Sequence, residues 1–316
     1  MLLATAASLA WVSRSTPTAL PAAVAAVASA TATPSPAGKA TAATKAAATP
    51  PAKSSASIKP YDVQLQIQQT LPHDGGAFTQ GLFYHEGMLY ESTGIYGKSS
   101  LRQVDWPTGK VKKRWSMNAR LFGEGCVWWK GDIIVLTWQA RKLFVLDGAS
   151  FTVKRSATFS TTTGQGWGIT HNGSHLIVSD GSANLHFWDP DTLKEVGKVT
   201  VKDAQGVPQS DLNELEFAGG EILANTWFHN TRFRNQLLRI HPTTGRILGS
   251  IDCAPVLAAE GRPQNPTNDV LNGIAVQWDA PGLPTGPDPS KPLHGLSLFI
   301  TGKLWNHVYK VSLSAT

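Results

Sequence analysis

The side chains best suited to catalysis or ligand binding lie in five similar short segments spread along the chain. At equivalent positions these segments carry a glutamine, a glutamate, a tryptophan and two asparagines, although a purely structural repeat would keep one residue type there. The segments are FTQGLFY (78–84), FGEGCVW (122–128), GWGIT (166–170), LNELEF (212–217) and LNGIAV (271–276). We interpret this diversified layer as a binding or catalytic site.

One carboxylate of this layer, Glu124, is suited to general acid/base chemistry. It lies between Phe122 and Cys126, in a chain that contains 11 tryptophans. Partial removal from water raises the pKa of a carboxyl group, which favours a side chain that accepts and returns a proton near neutral pH. The structural alternatives for Glu124 are a salt bridge or the capping of a loop amide.

Other chemistries have weaker support in the sequence. His171 and His175 have H-x3-H spacing, but they flank Asn172-Gly173, which is typical of a hairpin turn, so we expect no zinc site. The glycines of residues 164–168 resemble a dinucleotide fingerprint only by their number, because no βαβ pattern surrounds them. The sequence also contains neither a G-x-S-x-G elbow nor a Walker motif.

A second repeated unit sets the spacing of the five segments. Each copy is an apolar alternation that ends in a polar turn: LRQVDWPTGKV (101–111), LFVLDGASFTV (143–153), LHFWDPDTLKEV (185–196), LLRIHPTTGRIL (237–248) and VYKVSLSAT (308–316). The steps from Asp105 to Asp147 and from Asp147 to Asp189 are 42 residues each, and 52 residues separate Asp189 from His241. Alternation of period two with such turns predicts four-stranded antiparallel units, and their radial repetition predicts an all-β, five-bladed β-propeller.

The ends of the chain are predicted to meet in the last blade. The first four copies continue past their turn into another strand, whereas the fifth stops at Thr316. YDVQLQIQQTL (61–71) alternates as a strand and is expected to supply the missing outer strand, which also covers a sheet edge. Because the first strand of every blade lines the channel of a propeller, the five diversified segments are expected to converge on one cavity. No helix-length amphipathic pattern is evident in this part of the chain.

The first 57 residues have a different composition from the rest. Residues 1–30 are expected to be a signal peptide: the apolar stretch 18–30 follows Arg14, ends in Ala28-Ser29-Ala30, and is shorter than the roughly 20 residues that span a bilayer. The alternative is an Ala-rich tail without targeting. Residues 31–57 are predicted to be a disordered Ala/Pro/Thr linker, and residues 58–316 the propeller and catalytic domain. A periplasmic or secreted location is therefore expected.

The charge of the domain bears on whether it binds nucleic acid, and the positions of its two cysteines bear on whether they form a disulfide. The first 60 residues hold five basic side chains and no acidic one, which leaves 23 of the 28 Lys and Arg against 22 Asp and Glu in the domain. A nearly neutral domain does not favour nucleic-acid binding. Cys126 and Cys253 lie far apart in the repeat, so two unpaired, half-buried thiols are expected.

The motifs taken together resemble the plant and bacterial type of glutaminyl cyclase (glutaminyl-peptide cyclotransferase). The resemblance runs in order from about Leu71 to Val311 and rests on AFTQGL, YESTGIYGKSSLRQV, FGEG, LTW, GWGIT with VSDG, LNELEF, AN-x-W, DVLNGIA and TGKLW. It implies a five-bladed propeller that converts the N-terminal glutamine of a peptide, or free glutamine, into pyroglutamate with release of ammonia. Separately from the resemblance, we expect a monomer without a membrane span.

The resemblance also implies which residues act. Glu124 would carry a proton from the substrate amine to the departing ammonia, with Asn213 and Lys303 as further catalytic residues. The residues implied to bind the substrate are Phe78, Gln80, Phe122, Trp138, Trp167 and Trp227. No metal or other cofactor is implied for catalysis, although a structural Ca²⁺ in the propeller channel is compatible with the resemblance.

The sequence departs from the family pattern in two segments and at one further residue, and two competing hypotheses about function remain. FHNTRFRNQ (228–236) is longer than expected and residues 279–295 form a Pro/Gly-rich insertion, so the preferred peptide length is open; Asn306 also replaces an expected proline. One competing hypothesis is a non-catalytic propeller that binds a ligand or protein. The other is a carbohydrate-active propeller, which would need a second carboxylate such as Glu214 or Glu216.

Overall fold

The fold is built almost entirely from β-strands. The computed structural model describes residues 63–227, 230–261, 270–277 and 293–315. The predicted signal peptide and linker lie outside the described residues, as does most of the 279–295 insertion. Among the described residues, no helix has the length and apolar character needed to cross a membrane.

The described residues form twenty strands and one short helix. In chain order these are β1 (Val63–Pro72), β2 (Thr79–His85), β3 (Met88–Thr93), β4 (Ser100–Asp105), β5 (Lys110–Ser116), β6 (Gly123–Trp129), β7 (Asp132–Thr137), β8 (Lys142–Asp147), β9 (Val153–Thr158), β10 (Ile169–His171), β11 (Leu176–Ser179), β12 (Asn184–Asp189), β13 (Lys194–Thr200), β14 (Leu212–Ala218), β15 (Glu221–Thr226), β16 (Gln236–Ile240), β17 (Ile247–Asp252), α1 (Ala254–Glu260), β18 (Leu271–Val276), β19 (Ser297–Gly302) and β20 (His307–Ala315).

The strands form five antiparallel sheets of four, called blades one to five below. Blades one to four are β2–β5, β6–β9, β10–β13 and β14–β17, and blade five is β18–β20 with β1. The first strands of the blades contact one another in the order β2, β6, β10, β14, β18 and back to β2. The five-bladed β-propeller predicted from the repeats is therefore confirmed.

The core is divided among the blade boundaries. Each of five buried apolar clusters joins two neighbouring blades, as where Leu101 of blade one packs with Val135 of blade two, or Leu82 of blade one with Phe299 of blade five. The last cluster closes the ring. Alternation along the strands thus produces two apolar faces for each blade, and both are buried by neighbours.

The outer strand of blade five comes from the other end of the chain. β1 pairs antiparallel with β20, with Val63 opposite Ala315 and Pro72 opposite His307, and the register shifts between Ile67 and Gln69.

Glycines in the inner strands allow neighbouring blades to approach closely. A Cβ added at Gly125 would lie 2.6 Å from Trp167 O, and one added at Gly168 would lie 2.2 Å from Asn213 O. Both contacts are with backbone of the next blade, which has no free side-chain torsion that would relieve them. These positions therefore require glycine for steric reasons.

The diversified layer coincides with irregularities in the inner strands. In four blades the regular pairing between the first and second strands is interrupted at this layer. The residues left out of the pairing are Gln80 in β2, Glu124 and Gly125 in β6, Asn213 and Glu214 in β14, and Asn272 and Gly273 in β18. A β-bulge turns the backbone locally and re-aims a side chain that regular pairing would fix. The bulges thus explain how polar side chains reach the channel from strands that are otherwise apolar.

One short helix, which the sequence pattern did not indicate, is present among the strands. Helix α1 begins after Cys253, with Pro255 in its first turn, and is capped by Gly261 in the left-handed conformation. Seven residues are too few to give a recognisable amphipathic period. Tertiary contacts hold the helix instead, since Glu260 accepts hydrogen bonds from Asn306 N at 2.7 Å and from the Tyr309 hydroxyl at 2.9 Å.

The two cysteines are unpaired, as predicted. Cys126 and Cys253 are both free thiols, but they are fully buried rather than half-buried. Burial raises the pKa of each thiol, that of Cys126 to about 12, so neither is a thiolate near neutral pH.

Candidate active site

The nine predicted site residues lie together at one end of the channel. This end contains the beginnings of the inner strands and the ends of the second strands, so Gln80 in β2 and Glu124 in β6 lie near Trp138 after β7 and Lys303 after β19. Side-chain contacts described below connect most of them. Asn213 joins the cluster through its backbone, which the inner strand of blade three approaches at Gly168.

Glu124 is buried and held by a chain of amides. Its side chain is 4% exposed, and its Oε1 accepts a hydrogen bond from Gln80 Nε2 at 3.2 Å. Gln80 Oε1 in turn accepts from Asn272 Nδ2 at 3.3 Å, which also donates to Thr79 O at 2.9 Å. Within the described ranges Glu124 forms no salt bridge and its carboxylate caps no backbone amide, so neither structural alternative accounts for it.

Burial changes the proton affinity of two opposed groups. Desolvation raises the pKa of Glu124 well above 4.5, although the positive charge of Lys303 opposes this rise. Desolvation also lowers the pKa of Lys303 to about 7, against the opposing effect of Glu124. Both groups are thereby brought towards the pH range in which they can exchange protons near neutrality.

Lys303 is close to aromatic rings rather than to a carboxylate. It is 2% exposed, and its Nζ lies 3.9 Å from the centroid of the Trp227 ring and 4.8 Å from that of Phe78. Among the described residues it has no direct ion pair with Glu124. The ammonium is therefore stabilised by cation–π contacts as well as by the negative charge of Glu124, and its hydrogen-bond donors remain available to a ligand.

Asn213 supplies a second donor. It is 2% exposed, and its side-chain amide makes no hydrogen bond within the part of the chain that the structure describes. The residue is fixed by its backbone, because Ser179 Oγ donates to Asn213 O at 2.5 Å. A buried amide without a protein partner is suited to bind a polar group of a ligand.

Aromatic side chains form the wall of the pocket. The ring of Phe122 meets Phe78 and Trp138 in edge contacts, with centroids 6.1 Å and 5.6 Å apart. Trp167 and Trp227 meet in the same manner at 6.2 Å. The five ring residues are half-buried, and their apolar surfaces beside Glu124 and Lys303 strengthen electrostatic interactions there.

One residue of the site, Gln165, was not predicted, and another, Asn272, was placed in the diversified layer without an assigned role. Gln165 accepts hydrogen bonds from the indoles of Trp138 and Trp167, and Asn272 holds Gln80. Asn272 occupies the position equivalent to Gln80 and Glu124 in its repeat, which was an available signal. Gln165 precedes the GWG motif, but nothing in the local pattern indicates its two partners.

Glu214 and Glu216 have a structural environment. Glu214 accepts hydrogen bonds from Ile274 N at 2.9 Å and Leu82 N at 3.4 Å, and Glu216 accepts from Val276 N at 3.0 Å. Burial raises the pKa of both carboxyls, that of Glu216 to about 8. They join the inner strand of blade four to those of blades one and five and are not a second acid facing Glu124.

The fold and the pocket define a β-propeller protein with a buried carboxylate, amide and ammonium group inside an aromatic wall. The glutamine cyclotransferase family model matches residues 39–313. The chain therefore belongs to the glutamine cyclotransferase family.

Two relatives support this assignment. The glutaminyl-peptide cyclotransferase of Arabidopsis thaliana is 35% identical over 251 residues, which cover 79% of this chain and 71% of the relative. The crystal structure of Myxococcus xanthus glutaminyl cyclase matches with a TM-score of 0.68 at 34% identity, covering 82% of this chain and 100% of that one.

Proposed function

We propose that the protein converts the N-terminal glutamine of a peptide, or free glutamine, into pyroglutamate and releases ammonia. One observation carries the proposal: Glu124 is desolvated, bonded on one oxygen to Gln80, and electrostatically coupled to Lys303 inside an aromatic pocket. Family membership supports the same reaction.

A single carboxylate can serve both proton transfers of this reaction. The neutral α-amine attacks the carbon of the side-chain amide, and a C–N bond forms as the carbonyl oxygen takes the negative charge. Glu124 accepts the proton that the amine nitrogen loses. It then donates that proton to the amide nitrogen while the old C–N bond breaks, so that ammonia leaves and pyroglutamate remains.

The aromatic wall and the donors have separate roles. Cyclisation is intramolecular, and holding the glutaminyl chain curled removes most of its entropic cost; effective molarities for such reactions reach roughly 10⁵ M or more. Lys303 and the free amide of Asn213 are the donors that would stabilise the oxyanion. A donor of this type contributes about 3 kcal/mol in other enzymes.

We also propose that no metal or other cofactor takes part in catalysis, because one carboxylate completes the proton balance. A structural calcium ion would need six to eight oxygen ligands. The carboxylates of Glu214 and Glu216 instead accept hydrogen bonds from backbone amides, and no group of three or more His, Cys, Asp or Glu side chains in the described ranges could hold a metal. Calcium can also bind backbone carbonyl oxygens, so a structural ion in the channel stays a prediction, and we expect catalysis itself to survive dialysis against a chelator.

Location and assembly are further parts of the proposal. The composition of residues 1–30 supports export to the periplasm or medium. All nine predicted site residues come from one chain, so a monomer would be sufficient for activity. Cleavage mapping of exported protein and the mass of the purified protein in solution test these two points.

The test of the function is ammonia release from glutaminyl dipeptides by the purified protein, with pyroglutamyl product identified by mass. Glu124→Gln should lower kcat by about 10²- to 10⁴-fold, the usual contribution of a general acid/base, and leave the fold unchanged. Asparaginyl dipeptides serve as the substrate control. An inactive wild type, or a fully active Glu124→Gln variant, would refute the proposal.

A further inference from the structure

One side-chain oxygen joins two walls of the candidate active site. Gln165 Oε1 accepts hydrogen bonds from Trp138 Nε1 at 2.5 Å and from Trp167 Nε1 at 2.9 Å. Trp138 follows β7 of blade two, whereas Trp167 precedes β10 of blade three. The two indoles therefore share one acceptor across a blade boundary.

This acceptor lies in the middle of a series of weaker ring contacts. Phe122 meets Trp138 on one side, and Trp227, with Lys303 above it, meets Trp167 on the other. An edge contact between rings contributes only about 0.5–1.5 kcal/mol and permits the rings to tilt. The N–H group is the only polar group of an indole, so a hydrogen bond from it restricts the orientation of the ring more strongly than an edge contact does.

The loop that carries Gln165 is held independently of the two indoles. Thr161 Oγ1 donates to Gln165 O at 2.7 Å, and Thr163 N donates to Asp180 Oδ2 at 2.8 Å. Asp180 is itself buried beside His186, whose Nε2 lies 3.3 Å from the same oxygen. The backbone that carries the acceptor is thus tied to blade three through Asp180 and to blade two through Gly166 N, which donates to Trp138 O at 3.1 Å, and neither bond involves an indole ring.

We propose that Gln165 is a positioning residue whose amide oxygen fixes the planes of Trp138 and Trp167, so that these rings hold the glutaminyl chain curled for attack. The inference rests on the proposed function. An amide is suited to this role because it is neutral and adds no charge to the pocket that contains Glu124 and Lys303. Since both indole N–H groups are engaged, the oxyanion must be stabilised by other donors.

The decisive variants differ only in the acceptor. Gln165→Leu removes it at similar size, Gln165→Glu keeps an oxygen acceptor, and Gln139→Leu is a matched control at an exposed glutamine beside Trp138. Indole N–H resonances in ¹H–¹⁵N spectra, assigned with Trp138→Phe and Trp167→Phe, report the two hydrogen bonds without any assay of activity.

In Gln165→Leu we expect the resonances of Trp138 and Trp167 to move upfield and kcat to fall about tenfold or more, with a smaller change in KM, because misplaced walls no longer enforce the reactive conformer. Gln165→Glu should keep both resonances downfield, because its carboxylate oxygens still accept from the two indoles. Gln139→Leu should behave as wild type. If Gln165→Leu does not fold, Gln165→Ala provides the same comparison.

Two results would overturn the inference alone: unmoved indole resonances in Gln165→Leu, or moved resonances with kcat within twofold of an active wild type. An inactive wild type would instead refute the proposed function, and with it the purpose assigned to Gln165. The spectra and the assay therefore distinguish the two failures.

Discussion

Gln80 donates a hydrogen bond to Glu124 across the boundary between blades one and two, with 3.2 Å between Nε2 and Oε1. Both residues sit at bulges of inner strands, so the bond links two irregular points of an otherwise regular sheet. The other amide atom of Gln80 is held by Asn272. The carboxylate thus has one oxygen fixed, which leaves Oε2 for the substrate.

Removal of this bond should impair proton transfer. A hydrogen bond to a charged group contributes about 1.5–3 kcal/mol, so Gln80→Leu should lower kcat/KM by roughly 10- to 150-fold. Gln103→Leu is the control, because that glutamine bonds only to the Tyr90 hydroxyl, away from the pocket. Steady-state kinetics that place Gln80→Leu within twofold of wild type would contradict the assigned role.

The positive charge of Lys303 should affect the acid limb of the pH profile of kcat/KM, because that limb follows the ionisation of Glu124. Its charge lowers the pKa of Glu124, so Lys303→Met is expected to raise that pKa further and to move the acid limb of kcat/KM to higher pH. Lys310→Met is a matched control, since Lys310 also lies over aromatic rings, Trp106 of blade one and Phe299 of blade five, but outside the pocket. An unmoved limb, or one moved to lower pH, would exclude the coupling.

A buried charge pair near the site should make stability depend on pH. Burial opposes the charge of His73, but the charge and hydrogen bond of Glu91 outweigh it and raise the pKa of His73 above 6.5. The two ring nitrogens of His73 face Glu91 Oε1 at 2.9 Å and Trp305 O at 2.8 Å, so both can donate when the ring is protonated. The pair therefore stabilises the fold fully between pH 4.5 and 6.5; it loses this contribution as the pH rises through the raised pKa of His73, and as the pH falls through the lowered pKa of Glu91.

His73→Gln tests this sign. At pH 6 the variant should lose about 1.5–3 kcal/mol of unfolding free energy, the usual contribution of a hydrogen bond to a charged group, because Arg102 and Thr79 still face Glu91; the difference from wild type should shrink at alkaline pH. Urea denaturation at several pH values measures both, with His241→Gln in a surface turn as control. A loss that is constant with pH would show that His73 contributes only as a neutral side chain.

The close approach of the inner strands predicts a strong contrast between two glycines. Gly168→Ala would place a Cβ 2.2 Å from Asn213 O, and the resulting backbone displacement should cost about 3 kcal/mol and reduce activity. Gly197→Ala in β13 meets nothing within 4 Å and should change stability by less than about 1 kcal/mol. Thermal unfolding of both variants decides the matter; equal stabilities would refute the steric account.

The blade count was predictable because it depends on local signals. Alternation and turn residues recur at regular spacing, and five copies suffice to define five blades. The diversified layer was predictable for the same reason, since Glu124 and Asn213 stand out once the copies are aligned. The bulges direct these side chains into the channel, and for this reason the residue types at these positions differ among the aligned copies.

Contacts between distant loops were not predictable in the same way. The bond between Trp138 and Gln165 spans 27 residues, and that between His73 and Trp305 spans 232. No periodicity or turn signal encodes such pairs, because they depend on how neighbouring blades pack. The short helix α1 was missed because Glu260 and its partners in blade five, rather than its own sequence pattern, hold it.

The pairing of β1 with β20 has a consequence for how the protein is made. Blade five needs β1 and β20, the first and last strands of the described fold, so a nascent polypeptide cannot complete its ring of blades until β20 has left the ribosome. Val63 and Ala315 lie side by side in that sheet. A gene for residues 63–315 reopened at the exposed turn of Glu86 and Gly87, with Val63 and Ala315 joined by a short linker, would therefore encode the same circle of blades.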